Sequence, residues 1–244
     1  PNDSLASYAQ YKLASIYKNW KNDPENLIEA LEKTINNYPN SLHSKQAKKE
    51  KEAFQGWIIN NAETLRKRKM TMESINNLDY LVKNFPKHEL ASKAQYIVGD
   101  IYMNDLRDFE KALKWYGLAG KKGLAEAQCN LGLMYAEGQG VNQNYEEAIK
   151  WYRLAAEQGY ALAQTNIGLM YEVGEGINQN YEEAIKWYHL AAEQGFSGAQ
   201  SKLGLMYESG KGVMQNYEKA VKLYRQSADQ GNLLGQKYLG VMHV

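Results

Sequence analysis

Along residues 125–138, AEAQCNLGLMYAEG, the apolar positions Leu131, Met134 and Tyr135 fall on one stripe of a helix. Along 145–158, YEEAIKWYRLAAEQ, Ala148, Tyr152 and Ala155 recur at i, i+4 and i+7, which is again one helical face. Between them, Gly138-Gln139-Gly140-Val141-Asn142-Gln143-Asn144 keeps no such period and reads as a loop. The sentence GQGVNQNYEEAIKWYRLAAEQG (138–159) returns as GEGINQNYEEAIKWYHLAAEQG (174–195) and as GKGVMQNYEKAVKLYRQSADQG (210–231). The units are 125–160, 161–196 and 197–232, each of 36 residues, followed by a fragment at 233–244. A period of this size is the signature of a solenoid. One unit cannot bury its apolar face alone, so neighbours stack into a continuous core.

The small residues have expected tasks. Gly132, Gly168, Gly204 and Gly240 interrupt the first helix of each unit, where glycine costs about 1 kcal/mol relative to alanine. A cost repeated at one position predicts a closely crossing neighbour, with Ala148, Ala184 and Ala220 as the opposite wall. Asn144 and Asn180 read as N-caps with Glu147 and Glu183 three residues on, a capping box. Asn216 is followed by Lys219 instead, so that box is expected to be lost. Gly159, Gly195 and Gly231 follow the second helix as C-caps.

The stretch LGLMYAEGQGVNQNYEEAIKWYRLAAEQG (131–159) resembles Sel1-like repeats. The shared pattern is A-x-x-x-LG-x-x-Y, G-x-G-V, A-x-x-W-Y and AA-x-x-G, and it covers about half the chain. The resemblance implies an all-α, right-handed superhelical solenoid of antiparallel helix pairs, similar to tetratricopeptide repeats with a longer loop inside each pair. It also implies a non-enzymatic role in assembling other proteins. Some bacterial relatives bridge each pair with two cysteines. The matching positions here are Gln128 and Ala156, then Gln164 and Ala192, so packing alone is expected to hold each pair.

The N-terminal half resembles ordinary tetratricopeptide repeats. AQYKLASIY (9–17) pairs with IEALEKTINNYPNS (28–41), and AKKEKEAFQGWIIN (47–60) with INNLDYLVKNFPKHE (75–89). ASKAQYIVGDIY (91–102) pairs with FEKALKWYGLAGKKG (109–123). The organisation expected is tetratricopeptide-like repeats over 1–122 and Sel1-like repeats over 123–244, in one continuous solenoid. The endings NYPNS and NFPKHE are similar to those of envelope-assembly lipoproteins and their periplasmic relatives.

In such arrays the first helices line a concave groove. Carried over by the Leu-Gly-Tyr positions, the resemblance puts Glu126, Cys129, Leu133, Ala136 and Glu137 of the first Sel1-like unit there. Leu162, Thr165, Leu169, Glu172 and Val173 follow from the second, and Gly198, Ser201, Leu205, Glu208 and Ser209 from the third. The fragment adds Leu234, Lys237 and Val241; the N-terminal repeats add Tyr8, Tyr11, Tyr96 and Asp100. Leu133, Leu169, Leu205 and Val241 then form an apolar ladder edged by Glu137, Glu172 and Glu208. That suits an amphipathic helix or peptide with basic flanks. The competing expectation has these leucines covered by superhelical packing or by the chain's own ends.

Charge changes the picture little. Residues 1–122 carry 20 Lys/Arg against 15 Asp/Glu, and residues 123–244 carry 9 against 13, a polarity too weak to argue for nucleic acid. No run approaches the roughly 18 apolar residues of a membrane span. The chain starts at Pro1 without a charged-then-apolar leader; any signal peptide or lipid anchor is expected to have been removed, so its absence says nothing about destination. His43, His88, His189 and His243 lack metal-site spacing, and the single cysteine, Cys129, forms no intrachain disulfide. The G-x-G turns lack the strand before and the G-K-S/T after of a phosphate loop. Arg66-Lys67-Arg68-Lys69 and Lys48-Lys49-Glu50-Lys51 read as solvated helix faces. Trp115, Trp151 and Trp187 read as packing between repeats. No cofactor or catalysis is called for. The expectation is a scaffold for a partner protein or peptide in a bacterial envelope, acting in assembly, secretion or host interaction. A cytosolic regulatory adaptor and an exopolysaccharide- or peptidoglycan-related binder are the alternatives.

Overall fold

The structure, a computed structural model, describes residues 2–21 and 23–241. Among them the regular elements are all helices. Contacts divide the chain into two units, Pro1–Asp108 and Phe109–Val244.

The first unit holds α1 (Asn2–Ile16), α2 (Pro24–Asn37), α3 (Leu42–Glu52), α4 (Phe54–Lys67), α5 (Thr71–Asn84) and α6 (Leu90–Asp100). α1 and α6 each run on into a wider π-helical turn, Tyr17–Lys21 and Ile101–Asp105. Consecutive helices pack together: α1 on α2, α2 on α3, α4 on α5 and α5 on α6. The helix expected over 47–60 is two helices, broken at Ala53 (φ −89°, ψ 0°). The break lets Phe54, 1% exposed, enter an aromatic core with Tyr80 and Phe85. The stretch KKEKE before it supplies no apolar face, so its periodicity could not show where the packed helix begins.

The second unit holds α7 (Phe109–Lys121), α8 (Ala125–Glu137), α9 (Tyr145–Glu157), α10 (Ala161–Val173), α11 (Tyr181–Glu193), α12 (Ser197–Ser209), α13 (Tyr217–Asp229) and α14 (Leu233–Val241). Each packs on the next, and contacts put α7 with the repeats after it. The core is small and aromatic: Ala148, Ala155, Ala163 and Ala184 are fully buried among Tyr152, Ile167, Met170 and Tyr188. Trp187 packs on the cluster formed by Ala148, Tyr152, Ala163 and Ile167, as expected for a residue between repeats.

Three of the four mid-helix glycines mark close approaches, and the nearest wall is a tyrosine ring; the expected alanine contributes at Gly168, where the Ala184 carbonyl lies 3.2 Å from an added Cβ, while a Cβ on Gly240 would meet nothing within 4 Å. A Cβ on Gly132 would lie 2.5 Å from the Tyr152 ring, and one on Gly168 or Gly204 2.6 Å from Tyr188 or Tyr224. Gly140, Gly176 and Gly212 are tight for another reason. Each has positive φ, near 69°, and a Cβ there would strike the start of the preceding second helix at Phe109, Tyr145 or Tyr181, within 2.6 Å. Each loop is thus seated on the neighbouring repeat.

Asn144, Asn180 and Asn216 all cap, accepting the amide of residue N3 at 3.0, 3.1 and 2.9 Å. The reciprocal half of the box is absent by another route. The three cap amides donate to Tyr135, Tyr171 and Tyr207 of the preceding helix, each at 2.8 Å. The third repeat therefore loses nothing by carrying Lys219.

Nor does apolar packing act alone where the relatives have cysteine. Gln128, Gln164 and Gln200 are at most 5% exposed. Gln128 and Gln164 donate to the carbonyls of Gly120 and Ala156 on the preceding helix, at 2.9 and 3.2 Å. All three accept from Gln158, Gln194 and Gln230 at the end of their own second helix, at 2.7, 2.8 and 3.0 Å. A buried amide that meets both its needs costs little and fixes register.

Candidate functional site

The first helices of the second unit, α8, α10, α12 and α14, carry positions 133, 169, 205 and 241. Leu133 and Leu169 are each 37% exposed and Val241 is 64% exposed, while Leu205 is half-buried. Leu133 and Leu169 line one cleft of about 450 Å³ between α8 and α10, with Ala136, Glu137, Tyr152 and Asn166. Leu162 and Val173 are exposed and Glu126 is half-buried on the same helices, but none of them lines this cleft.

The expected acidic edge is not a row facing outward. Glu172 accepts from the Tyr188 hydroxyl at 2.5 Å and from Lys202 Nζ at 3.2 Å. Glu208 accepts from the Tyr224 hydroxyl. Both carboxylates hold the helix pair together, and burial beside them pushes the two phenols well above the usual tyrosine range. Glu137, one position later in its repeat, is the exposed member and accepts from Gln139 at 2.6 Å.

Cys129 does not reach a partner either. It is 1% exposed, packed among Ala148, Ala156 and Ile167. Burial pushes its thiol up to about 12, so it stays protonated and unreactive. The equivalent Ser201 is fully buried against Ser227 at 2.8 Å. This position faces the paired helix.

In the first unit Tyr96 and Asp100 share a cleft of about 890 Å³ with Arg66, Lys67, Lys69 and Lys93. Arg66 is not a solvated cation: it donates to Asp100 at 2.6 Å and, in a fork, to Asp105 at 2.5 and 2.8 Å. Tyr8 and Tyr11 lie apart from that cleft, beside His43. Tyr8 is exposed, whereas the Tyr11 hydroxyl is bound to Glu50, which also takes Lys18 at 3.0 Å.

Sequence reasoning passed over a second exposed row. Leu118, Leu154 and Leu190, on α7, α9 and α11, are 47%, 47% and 46% exposed. Their spacing is visible in KWYGLAG, KWYRLAA and KWYHLAA, on the second helix of each pair.

The described histidines make local contacts. His43 bonds Ser7 at 3.0 Å, His88 accepts from the Leu90 amide at 3.1 Å, and His189 faces Glu193 at 3.1 Å. His243 lies outside the described residues. Among the described residues no group of three His, Cys, Asp or Glu could hold a metal, and no helix is long and apolar enough to cross a membrane.

The Sel1 repeat profile matches residues 92–124, 125–160, 161–196 and 197–232, and a tetratricopeptide repeat profile matches 8–41. No protein of curated function matches significantly by sequence. Among solved structures, a Sel1 repeat protein from Oxalobacter formigenes is 36% identical over 75% of this chain and 72% of its own, with a TM-score of 0.63. A protective antigen of uropathogenic Escherichia coli is 24% identical, with a TM-score of 0.68; the match covers 97% of this chain but 48% of that one. An immunity protein from Pseudomonas aeruginosa, 19% identical over 93% and 83% of the two chains, has a TM-score of 0.51. At those last two identities the likeness is one of fold. Sel1 and tetratricopeptide repeat proteins are generally protein-interaction scaffolds, and the fold is typically non-catalytic. With four matched repeats over more than half of its length, this chain belongs to the Sel1 repeat family.

Proposed function

We propose that the protein is a non-catalytic scaffold whose cleft between α8 and α10 receives a segment of a partner protein. The observation that carries this is the pair of leucines, Leu133 and Leu169, each left 37% exposed and sharing one cleft. Exposed apolar side chains that border a concavity are what an amphipathic segment covers. The rim carboxylates of Glu137 and Glu175 suit basic residues on that segment. The setting we favour is a bacterial envelope, in assembly, secretion or host interaction. It rests on the NYPNS and NFPKHE endings and on the bacterial source of the structural neighbours reported above.

The test is a pull-down from the source cells with wild type and with Leu133→Glu/Leu169→Glu, both first checked for native circular dichroism. A protein held by wild type and lost by the variant is the expected result. The same proteins held by both would sink the leucine cleft and turn attention to the Leu118, Leu154 and Leu190 row.

A further inference from the structure

We propose that this cleft takes a glutamate side chain of the partner segment, in the place that the chain's own Glu172 and Glu208 fill in the two following repeats. The inference rests on the reading of the cleft just given and names what it recognises.

The array supplies its own template. Positions 136, 172 and 208 are equivalent, as are 152, 188 and 224, and 166, 202 and 238. In the second repeat Glu172 receives the Tyr188 hydroxyl at 2.5 Å and the Lys202 ammonium at 3.2 Å. In the third, Glu208 receives the Tyr224 hydroxyl, whose ring packs on Tyr238 with centroids 5.3 Å apart. In the first, Ala136 offers no acceptor and Asn166 replaces the lysine. Asn166, whose amide donates to the Cys129 sulfur at 4.0 Å, pulls the Tyr152 pKa down, the sign of a neighbouring donor rather than of the carboxylate acceptor that Glu172 and Glu208 supply.

Tyr152 is 3% exposed, and its repeat has no carboxylate at the position from which Glu172 and Glu208 meet Tyr188 and Tyr224. The missing glutamate leaves space beside the phenol: Ala136, Tyr152 and Asn166 all line the cleft that opens between Leu133 and Leu169. Burial raises the Tyr152 pKa, so the phenol remains a donor at any physiological pH.

The rim decides between a small anion and a peptide. Glu137 and Glu175 line the same cleft and repel a free carboxylate. A glutamate carried on a segment with lysine or arginine beside it meets both demands: its carboxylate reaches Tyr152 while its cations face the rim. The occupant is therefore a peptide segment of mixed charge with an apolar side chain for the two leucines.

The test is a selection of phage-displayed random peptides on the full chain, run in parallel on Ala136→Glu and Tyr152→Phe. Ala136→Glu copies the next two repeats, so it keeps the fold and fills the cleft from within; circular dichroism checks this. Selected peptides are synthesised with their glutamate intact or changed to alanine, and their affinities are read by fluorescence anisotropy. The expected result is peptides sharing a glutamate beside basic and apolar residues. Removing that glutamate weakens binding to wild type about tenfold or more, a difference that Tyr152→Phe erases. Ala136→Glu binds none of them. Peptides selected without a glutamate, or held equally by Ala136→Glu, would overturn the glutamate pocket and leave the leucine cleft standing. No peptide enriched on wild type would overturn both.

Discussion

At Tyr11, Tyr188 and Tyr224 a phenol sits against a carboxylate, that of Glu50, Glu172 or Glu208. Burial first, and the neighbouring carboxylate second, favour the protonated phenol; for Tyr11 the pKa is pushed up to about 12. A tyrosine raised above its ordinary value of about 10 contributes stability that is whole below pH 10. Between about pH 10 and 12 the unfolded chain gives up the proton first, so that contribution is lost as pH rises. The buried Cys129 thiol adds to the same loss. The urea midpoint followed by circular dichroism should therefore fall steeply above about pH 10, with part of the tyrosine absorbance at alkaline pH appearing only on unfolding. A single ordinary titration of every tyrosine in a chain that stays folded would contradict these contacts. Residue roles of this kind were hidden in the sequence. Glu172 and Glu208 looked like an outward edge because a one-dimensional register says which helix turn a residue occupies. It does not say that a tyrosine sixteen residues later will reach it.

Helix pairs were the most legible level. The period of 36, the asparagine caps and the G-x-G turns each had one structural meaning. What failed was reach. Glycine at 132, 168 and 204 does signal close crossing, though Gly240 does not, and the nearest wall is a tyrosine ring, with the Ala184 carbonyl sharing the contact at Gly168. Side chains on a helix lean back toward its N-terminus, so the ring of Tyr152 covers the turn that holds Ala148. Glutamine at 128 and 164 stands at the positions matching the relatives' cysteines, yet its amide makes bonds that a thiol could not. The glycine account makes a signed prediction. Gly168→Ala adds a methyl 2.6 Å from the Tyr188 ring. Overpacking of about 1–3 kcal/mol exceeds the gain of about 1 kcal/mol in helix propensity, so the variant is less stable. Gly240 has nothing within 4 Å, so Gly240→Ala keeps the propensity gain and is stabilised by a few tenths to about 1 kcal/mol. Chemical denaturation measures both; equal effects at the two sites would refute the close-packing role.

For the molecule as a whole, repetition explains the architecture and the departures from it mark the candidate site. Three repeats written almost alike build a scaffold in which most positions are occupied by the chain itself. The cleft opens where one repeat differs, at Ala136 and Asn166, between two leucines that the packing leaves exposed. A repeat is legible because it recurs, whereas the exception at Ala136 gains meaning only from the glutamates that its equivalents place on Tyr188 and Tyr224. Two exposed leucine rows now compete for the binding face: 133 and 169 on the first helices, and 118, 154 and 190 on the second. They are best separated by placing a photo-crosslinking amino acid singly at 169 and at 190 and irradiating the living source cells. The account predicts a discrete cross-linked partner at 169, lost when Ala136→Glu is added, and none at 190. Cross-links at 190 alone, or at 169 unchanged by Ala136→Glu, would contradict it.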